Sequence, residues 1–133
     1  MNKIFLHIGA REGSKGIKNK NIRKFLGKPL IYWTLKHAKK VNNVEAIVVN
    51  SDSKLILNLA KKMKIDLIIK RPKTLSSSKA SKLTAWKYAL NFLKSRKVIS
   101  KDDIFVDFDC TCPLRDIKDT NKMIKKFILY KKV

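Results

Sequence analysis

The segment Gly9 to Asn21 reads GAREGSKGIKNKN and holds three Gly, one Ser, one Arg and three Lys. Glycines let backbone N–H groups turn towards an anion, and Arg and Lys neutralise the charge that settles there. The composition suits a triphosphate. It is not a P-loop, because no Gly-Lys-Ser/Thr tripeptide occurs in it, and its G-x-x-x-G-x-x-G spacing is not the dinucleotide fingerprint. On composition alone, a solvated basic loop is an equal reading.

A second run, DFDCTCPLR from Asp107 to Arg115, carries two carboxylates two residues apart, two cysteines and an arginine. In a strand that spacing turns Asp107 and Asp109 to one face. Asp107 reads as a pleat position near a strand end. Cys110 and Cys112 lack the further ligands a structural zinc site wants, and so close a pair would make a strained disulfide. They read as small, reduced, buried-type residues. His7 and His37 lie in apolar segments and read as structural.

These segments need a scaffold, and the hydropathy pattern supplies one. Lys3 to Gly9 reads as a short buried strand leading into a Gly- and Lys-rich loop that runs to Lys28. Pro29 then opens a helix with Leu30, Trp33, His37 and Val41 on one face. Val44 to Asn50 is a second strand, and Asp52 with Ser53 starts a helix bearing Leu55, Leu59, Ala60 and Met63. Ile65 to Ile69 is a third strand, followed by a polar loop from Arg71 to Ser78. The next helix bears Leu83, Trp86, Leu90 and Leu93. Ile104 to Phe108 is a fourth strand, and Asp116 caps a last helix with Ile117, Ile124 and Ile128 inward.

Four strand–helix alternations with long crossovers predict right-handed parallel connections. The fold class is therefore α/β, a Rossmann-like layered, mostly parallel sheet with helices on both faces. Ligands of such sheets sit beyond the carboxyl ends of the strands, so the loops after the first, third and fourth strands are the places to search.

Composition narrows the rest. The 133 residues suffice for one core and are 44% hydrophobic, which excludes a disordered chain. No apolar run approaches a membrane span, and the N-terminus lacks the long apolar region and cleavage site of a signal peptide. A cytoplasmic protein is expected. The net charge of +22 comes from 27 Lys and five Arg against ten acidic residues, with the Lys scattered over the whole chain. Scatter fits solvated faces better than a nucleic-acid groove, and no helix-turn-helix pattern or interleaved aromatics occur. Neither a nucleic-acid nor a membrane partner is expected.

The run AREGSKGIKNKNIRKFLGKPLIYWTL closely resembles the N-terminal signature of acylneuraminate cytidylyltransferases: an Ala-Arg, a Gly-Ser-Lys-Gly turn, a Lys-Asn pair and a Gly-Lys-Pro-Leu helix entry. Further matches keep the family's order. Ser51-Asp52 follows the second strand, Arg71-Pro72 precedes the nucleobase loop, and Thr111 with Pro113-Leu114-Arg115 resembles its Thr-Ser-Pro-Leu-Arg motif. The resemblance spans essentially the whole chain.

It implies a nucleotidyltransferase that moves CMP from CTP to the anomeric hydroxyl of a nine-carbon acidic sugar, with pyrophosphate leaving and Mg²⁺ as cofactor. Arg11, Lys15 and Lys20 would hold the phosphates, with backbone N–H groups from Gly13 and Ser14. Lys20 and Arg11 would stabilise charge at the reacting phosphoryl group, because such transfer needs positioning and neutralisation more than a protein nucleophile. Asn21 would contact the nucleotide. Arg71 would contact cytosine, with Ala80 and Ser81 in the loop that walls off the base. Arg115 would reach a phosphate or the sugar carboxylate.

The chain departs from the family in four places, the mildest being Cys112, a near-isosteric replacement for the usual Ser. Ser78 and Lys79 replace an acidic residue and an uncharged one, and Lys82 stands where a small hydroxyl residue is common. Asp109 occupies a Gln position, as in variants linked to other nonulosonic acids such as legionaminic acid, and an Asp there suits Mg²⁺. Residues 1–133 are expected to be the nucleotide-binding part of a single domain. Family members continue further, with most of the sugar pocket, more carboxylates and much of a homodimer interface. Alternatives are a 3-deoxy-octulosonic acid cytidylyltransferase, a basic polyanion binder, or an inactive fragment that keeps the fold.

Overall fold

The computed structural model describes residues 3–11, 24–75, 82–109 and 116–131. Four strands, β1 (Ile4–Ala10), β4 (Ala46–Ser51), β5 (Leu67–Lys70) and β6 (Ile104–Asp109), form one parallel sheet in the order β5-β4-β1-β6. A two-residue hairpin, β2 (Lys24–Phe25) and β3 (Lys28–Pro29), precedes α1 (Leu30–Ala38). The other helices are α2 (Lys54–Lys62), α3 (Lys82–Ser95) and α4 (Ile117–Lys131), and Lys73–Leu75 forms a short 3-10 turn. The layered α/β sheet expected from the sequence is the one observed.

The pleat of β1 divides the core. Ile4, Leu6, Ile8 and Ala10 pack with Ile31 and Leu35 of α1, Ile56 and Ala60 of α2, and Ile124 of α4. Phe5 faces the other way, with Val48, Ile69 and the Ala89–Leu93 part of α3. Three helices thus cover one face and α3 covers the other. The central strand β1 is buried on both faces, which is why it reads as an almost unbroken apolar run.

The strands sit slightly later than the hydropathy predicts. Ile65 is buried but precedes β5, and the side chain of Asp66 instead accepts from the Ile47 backbone N–H at 2.9 Å, filling the ladder position where a strand residue would otherwise pair. Two helix faces are also rotated from expectation. In α2 the buried residues are Ile56, Leu57 and Ala60, while Leu55 is 62% exposed. Leu55, Ile56 and Leu57 are consecutive, so hydropathy fits more than one phase, and the phase seating Ile56 over Ala60 against the sheet prevails. In α3 the inner stripe is Ala85, Ala89 and Leu93, and Leu83 is exposed. Small residues at that spacing let the helix axis approach the sheet closely.

The helix starts are as read. Ser53 caps α2 by accepting from Ile56 N–H at 3.4 Å, and Asp116 accepts from Lys118 N–H at 2.8 Å before α4. Pro29 stands at the N-cap of α1 rather than inside it. The hairpin is the element the sequence hid. Its Leu26 and Gly27 both take positive φ, 50° and 81°, the mirror-image turn that matches strand twist. Among the described residues no helix is long and apolar enough to cross a membrane.

Candidate functional site

Strand order reverses direction at β1. The chain runs from β1 through β4 to β5 on one side, then returns to place β6 on the other. Loops leaving β1 and β6 therefore diverge and open a crevice at the carboxyl edge, the ligand site of open α/β sheets. Arg11 leaves β1 into this crevice, and Asp109 ends β6 directly beside Gly9 in register.

Every strand changes character along the face covered by α3. Apolar side chains fill its first half: Phe5, Val48, Ile69 and Phe105. At the carboxyl ends the same pleat positions hold His7 and Gly9, Asn50, Arg71, and Asp107 with Asp109. A period of two preserves the face along each strand, so these residues converge on one polar rim.

The rim is tied together beneath its surface. His7 is buried at 1% exposure and its Nδ1–H donates to Asp107 Oδ1 at 2.8 Å. A carboxylate only accepts, which fixes the proton on Nδ1 and leaves Nε2 as the acceptor for Asn50 Nδ2–H at 3.3 Å. Asn50 Nδ2 also donates to the Ala85 carbonyl at 3.2 Å, so the bond chain runs from β6 through β1 and β4 to α3. With both amide hydrogens committed, Asn50 Oδ1 is buried without a hydrogen-bond partner among the described residues.

Two cations face this string. Arg71 is 6% exposed, and its backbone N–H donates to the Ser51 carbonyl at 2.8 Å as the chain leaves β5. Its guanidinium reaches across β4: a Cβ placed on Gly9 would lie 4.0 Å from Arg71 Nη1 and 3.1 Å from His7 Cε1. Gly9 thus leaves room for the imidazole and the guanidinium to approach each other under the mouth of the crevice. Lys82, at the start of α3, places Nζ 3.2 Å from Asp109 Oδ2 and 4.0 Å from Asp107 Oδ2.

Of the sequence-read candidates, Arg11, Arg71 and Asp109 fall at this one edge. Gly13, Ser14, Lys15, Lys20, Asn21, Ala80, Ser81, Arg115 and the two cysteines lie outside the described residues. His37 is structural as expected, bonded through Nε2 to Thr120 Oγ1 at 3.0 Å where α1 meets α4. The sequence reading missed that His7, Asn50 and Asp107 act together. The signal was available in the pleat: three polar residues in strands whose neighbours are apolar.

Asp107 and Asp109 offer oxygen donors alone, the hard ligands Mg²⁺ takes. Among the described residues no three His, Cys, Asp or Glu gather into a metal cage. Mg²⁺ at nucleotide sites is held by one or two carboxylates together with substrate phosphates, so this pair fits the ion without such a cage.

A doubly covered parallel sheet, with a polar crevice at its switch point and a basic loop leaving its first strand, defines an α/β fold of the nucleotidyltransferase type. The chain belongs to the cytidylyltransferase family, whose model matches residues 7–127. It is similar to post-translational flagellin modification protein B of Campylobacter coli, with 35% identity over 96% of this chain and 54% of that protein. It is also similar to a pseudaminic acid cytidylyltransferase of Campylobacter jejuni, with 36% identity over 91% of this chain and 51% of that protein. The chain therefore spans about half the length of these relatives. Its fold matches that of a CMP:2-keto-3-deoxy-manno-octonic acid synthetase complexed with CTP, with a TM-score of 0.73, 18% identity, and coverage of 94% of this chain and 47% of that one. At that identity the likeness is one of fold.

Proposed function

We propose that this chain is the nucleotide-binding part of a cytidylyltransferase that transfers CMP from CTP to the anomeric hydroxyl of a nine-carbon acidic sugar, a sialic, legionaminic or similar acid. The observation that carries the reading is the family match across residues 7–127, and a relative named for pseudaminic acid supports the sugar class. In the reaction the anomeric oxygen attacks the α-phosphorus, the bond to the bridging oxygen breaks, pyrophosphate leaves, and the hydroxyl proton passes to solvent.

The chain's own residues supply positioning and charge. Arg11 and the loop residues Gly13, Ser14, Lys15 and Lys20 cradle the phosphates, and Lys20 neutralises charge as it builds on the α-phosphoryl group. Asn21, Arg71, Ala80 and Ser81 hold the nucleoside. Burial of the Arg71 guanidinium at the crevice floor supports that role, because a planar donor fork fixed by packing loses little freedom on binding. Arg115 takes a phosphate or the sugar carboxylate. Asp109 holds Mg²⁺, which supplies neutralisation of the triphosphate charge when bound. The same reading takes the whole protein to be a homodimer working in the cytoplasm on CTP and an acidic sugar.

Calorimetry of the 133-residue protein with CTP, ATP and GTP in the presence of Mg²⁺ tests the proposal, with Lys20→Ala alongside. Selective CTP binding that the substitution abolishes is the expected result. Equal, salt-sensitive binding of all three triphosphates would overturn it in favour of a basic polyanion binder.

A further inference from the structure

Lys82 is out of place by the rules of helix electrostatics. It is the first described residue of α3, and no acidic residue occupies that helix's first turn. A cation there opposes the positive end of the helix dipole. Its ammonium is nevertheless directed to β6, at 3.2 Å from Asp109 Oδ2 and 4.0 Å from Asp107 Oδ2. The two carboxylates on one face of β6 explain this: with no cation between them they repel, and the ammonium offsets that repulsion. Asp107 cannot swing away, because its other oxygen is held at 2.8 Å by the buried His7 imidazole. Asp107 is thus a fixed anion at one side of the notch, and Lys82 is the most exposed member of the trio, with a side chain 62% exposed against 18% for Asp107 and 46% for Asp109.

We infer that Lys82 is a built-in counter-ion of the Asp107–Asp109 notch and competes with the divalent cation for the Asp109 carboxylate. The inference rests on the proposed metal role of Asp109. An ammonium and a divalent ion cannot both sit against Asp109 Oδ2 at close range, since like charges in one notch repel. The divalent ion brings twice the charge, and an exposed ion pair is weak, so Lys82 yields. Once released, its ammonium stands at the carboxyl edge of the sheet beside the end of β6, where it meets the nucleotide's phosphates. The notch therefore stays partly neutralised until a divalent cation arrives, and Lys82 is displaced as that cation binds.

Binding of Mn²⁺ to the nucleotide-free 133-residue protein, followed by loss of the free-ion electron paramagnetic resonance signal, tests this. Lys82→Ala is compared with wild type, with Lys82→Arg, which keeps a competing cation, and with Lys87→Ala, which removes an exposed charge from the same helix. Tighter binding by Lys82→Ala alone, roughly two- to fivefold as the release of one exposed ion pair allows, is expected. Equal tightening by Lys87→Ala would reduce the effect to net charge and overturn the inference, as would no tightening by Lys82→Ala. Asp109→Asn separates the two readings. If it leaves Mn²⁺ binding intact, the metal role of Asp109 fails. If it abolishes binding while Lys82→Ala changes nothing, only the counter-ion role fails.

Discussion

His7 Nδ1 lies 2.8 Å from Asp107 Oδ1, a bond between residues paired in register on neighbouring parallel strands. Because His7 is buried and also accepts from Asn50, one imidazole links three strands directly under the polar rim. Replacement by Leu preserves apolar bulk and removes both bonds, leaving an Asp carboxylate and an Asn amide short of partners. His7→Leu is expected to destabilise the fold by about 1–3 kcal/mol, the cost of stranding buried polar groups. Urea unfolding measures it, and unchanged stability would show the string to be incidental.

Gly9→Ala probes the packing between imidazole and guanidinium. The added methyl would sit 3.1 Å from His7 Cε1, closer than ordinary contact, in a region where His7 has no room to retreat. A loss of about 1 kcal/mol by overpacking is expected. The same methyl would lie 4.0 Å from Arg71 Nη1, an ordinary contact that leaves the guanidinium in place, so CTP affinity read by calorimetry below the melting range should be little changed.

Arg71→Lys keeps the charge and loses the planar fork. A buried ammonium on a flexible stem cannot reproduce paired donors at the crevice floor. CTP affinity should fall about tenfold or more, the effect of losing charge-assisted bonds. Retained affinity would place Arg71 among purely structural residues.

Ser53→Ala removes the cap of α2, whose Oγ accepts from Ile56 N–H at 3.4 Å. The expected cost is about 1 kcal/mol. CTP binding at saturating concentration should be unaffected, because α2 lies on the face opposite the rim.

Asp103 gives the pH test. Its carboxyl is held below the usual carboxylate range, chiefly by the Ser100 backbone N–H, with desolvation acting the other way and the Lys3 N–H adding to the lowering. A depressed folded-state pKa adds stability above the unfolded value of about 3.9. That stability is lost as pH falls through the lower, folded value. Asp103→Asn should therefore be less stable than wild type at neutral pH and converge with it in acid, by a small margin because the group is exposed. Parallel thermal melts across the acid range check this.

Much of the architecture was legible because two periodicities carry it. Runs such as Ile4 to Ile8 and Ala46 to Val49 have no polar side to show except His7, so they read as strands buried on both faces, and the intervening helices dictate parallel pairing. The capping residues Ser53 and Asp116 were equally plain, since a short polar side chain before an apolar run has few other uses. The hairpin at Lys24–Pro29 was not legible, because two-residue strands carry no period to detect.

Helix phase was underdetermined for a related reason. Hydropathy places a helix on the sheet but cannot choose among adjacent apolar residues, and the choice of Ile56 over Leu55 depends on the shape of the surface it meets. For α3, hydropathy favours the large residues Leu83 and Trp86, whereas contact distance favours Ala85 and Ala89.

By itself the sequence determined the fold class, the cytidylyltransferase motifs and the edge of the sheet where chemistry belongs, since all of these are local patterns repeated along the chain. Only the tertiary structure decided that His7, Asn50 and Asp107 form one string and that Lys82 faces two carboxylates. His7 and Asp107 lie 100 residues apart in the chain and Lys82 and Asp109 lie 27 apart, and their meeting depends on strand order and register. Strand order follows from how crossovers pack around a common core, a property that no short segment encodes.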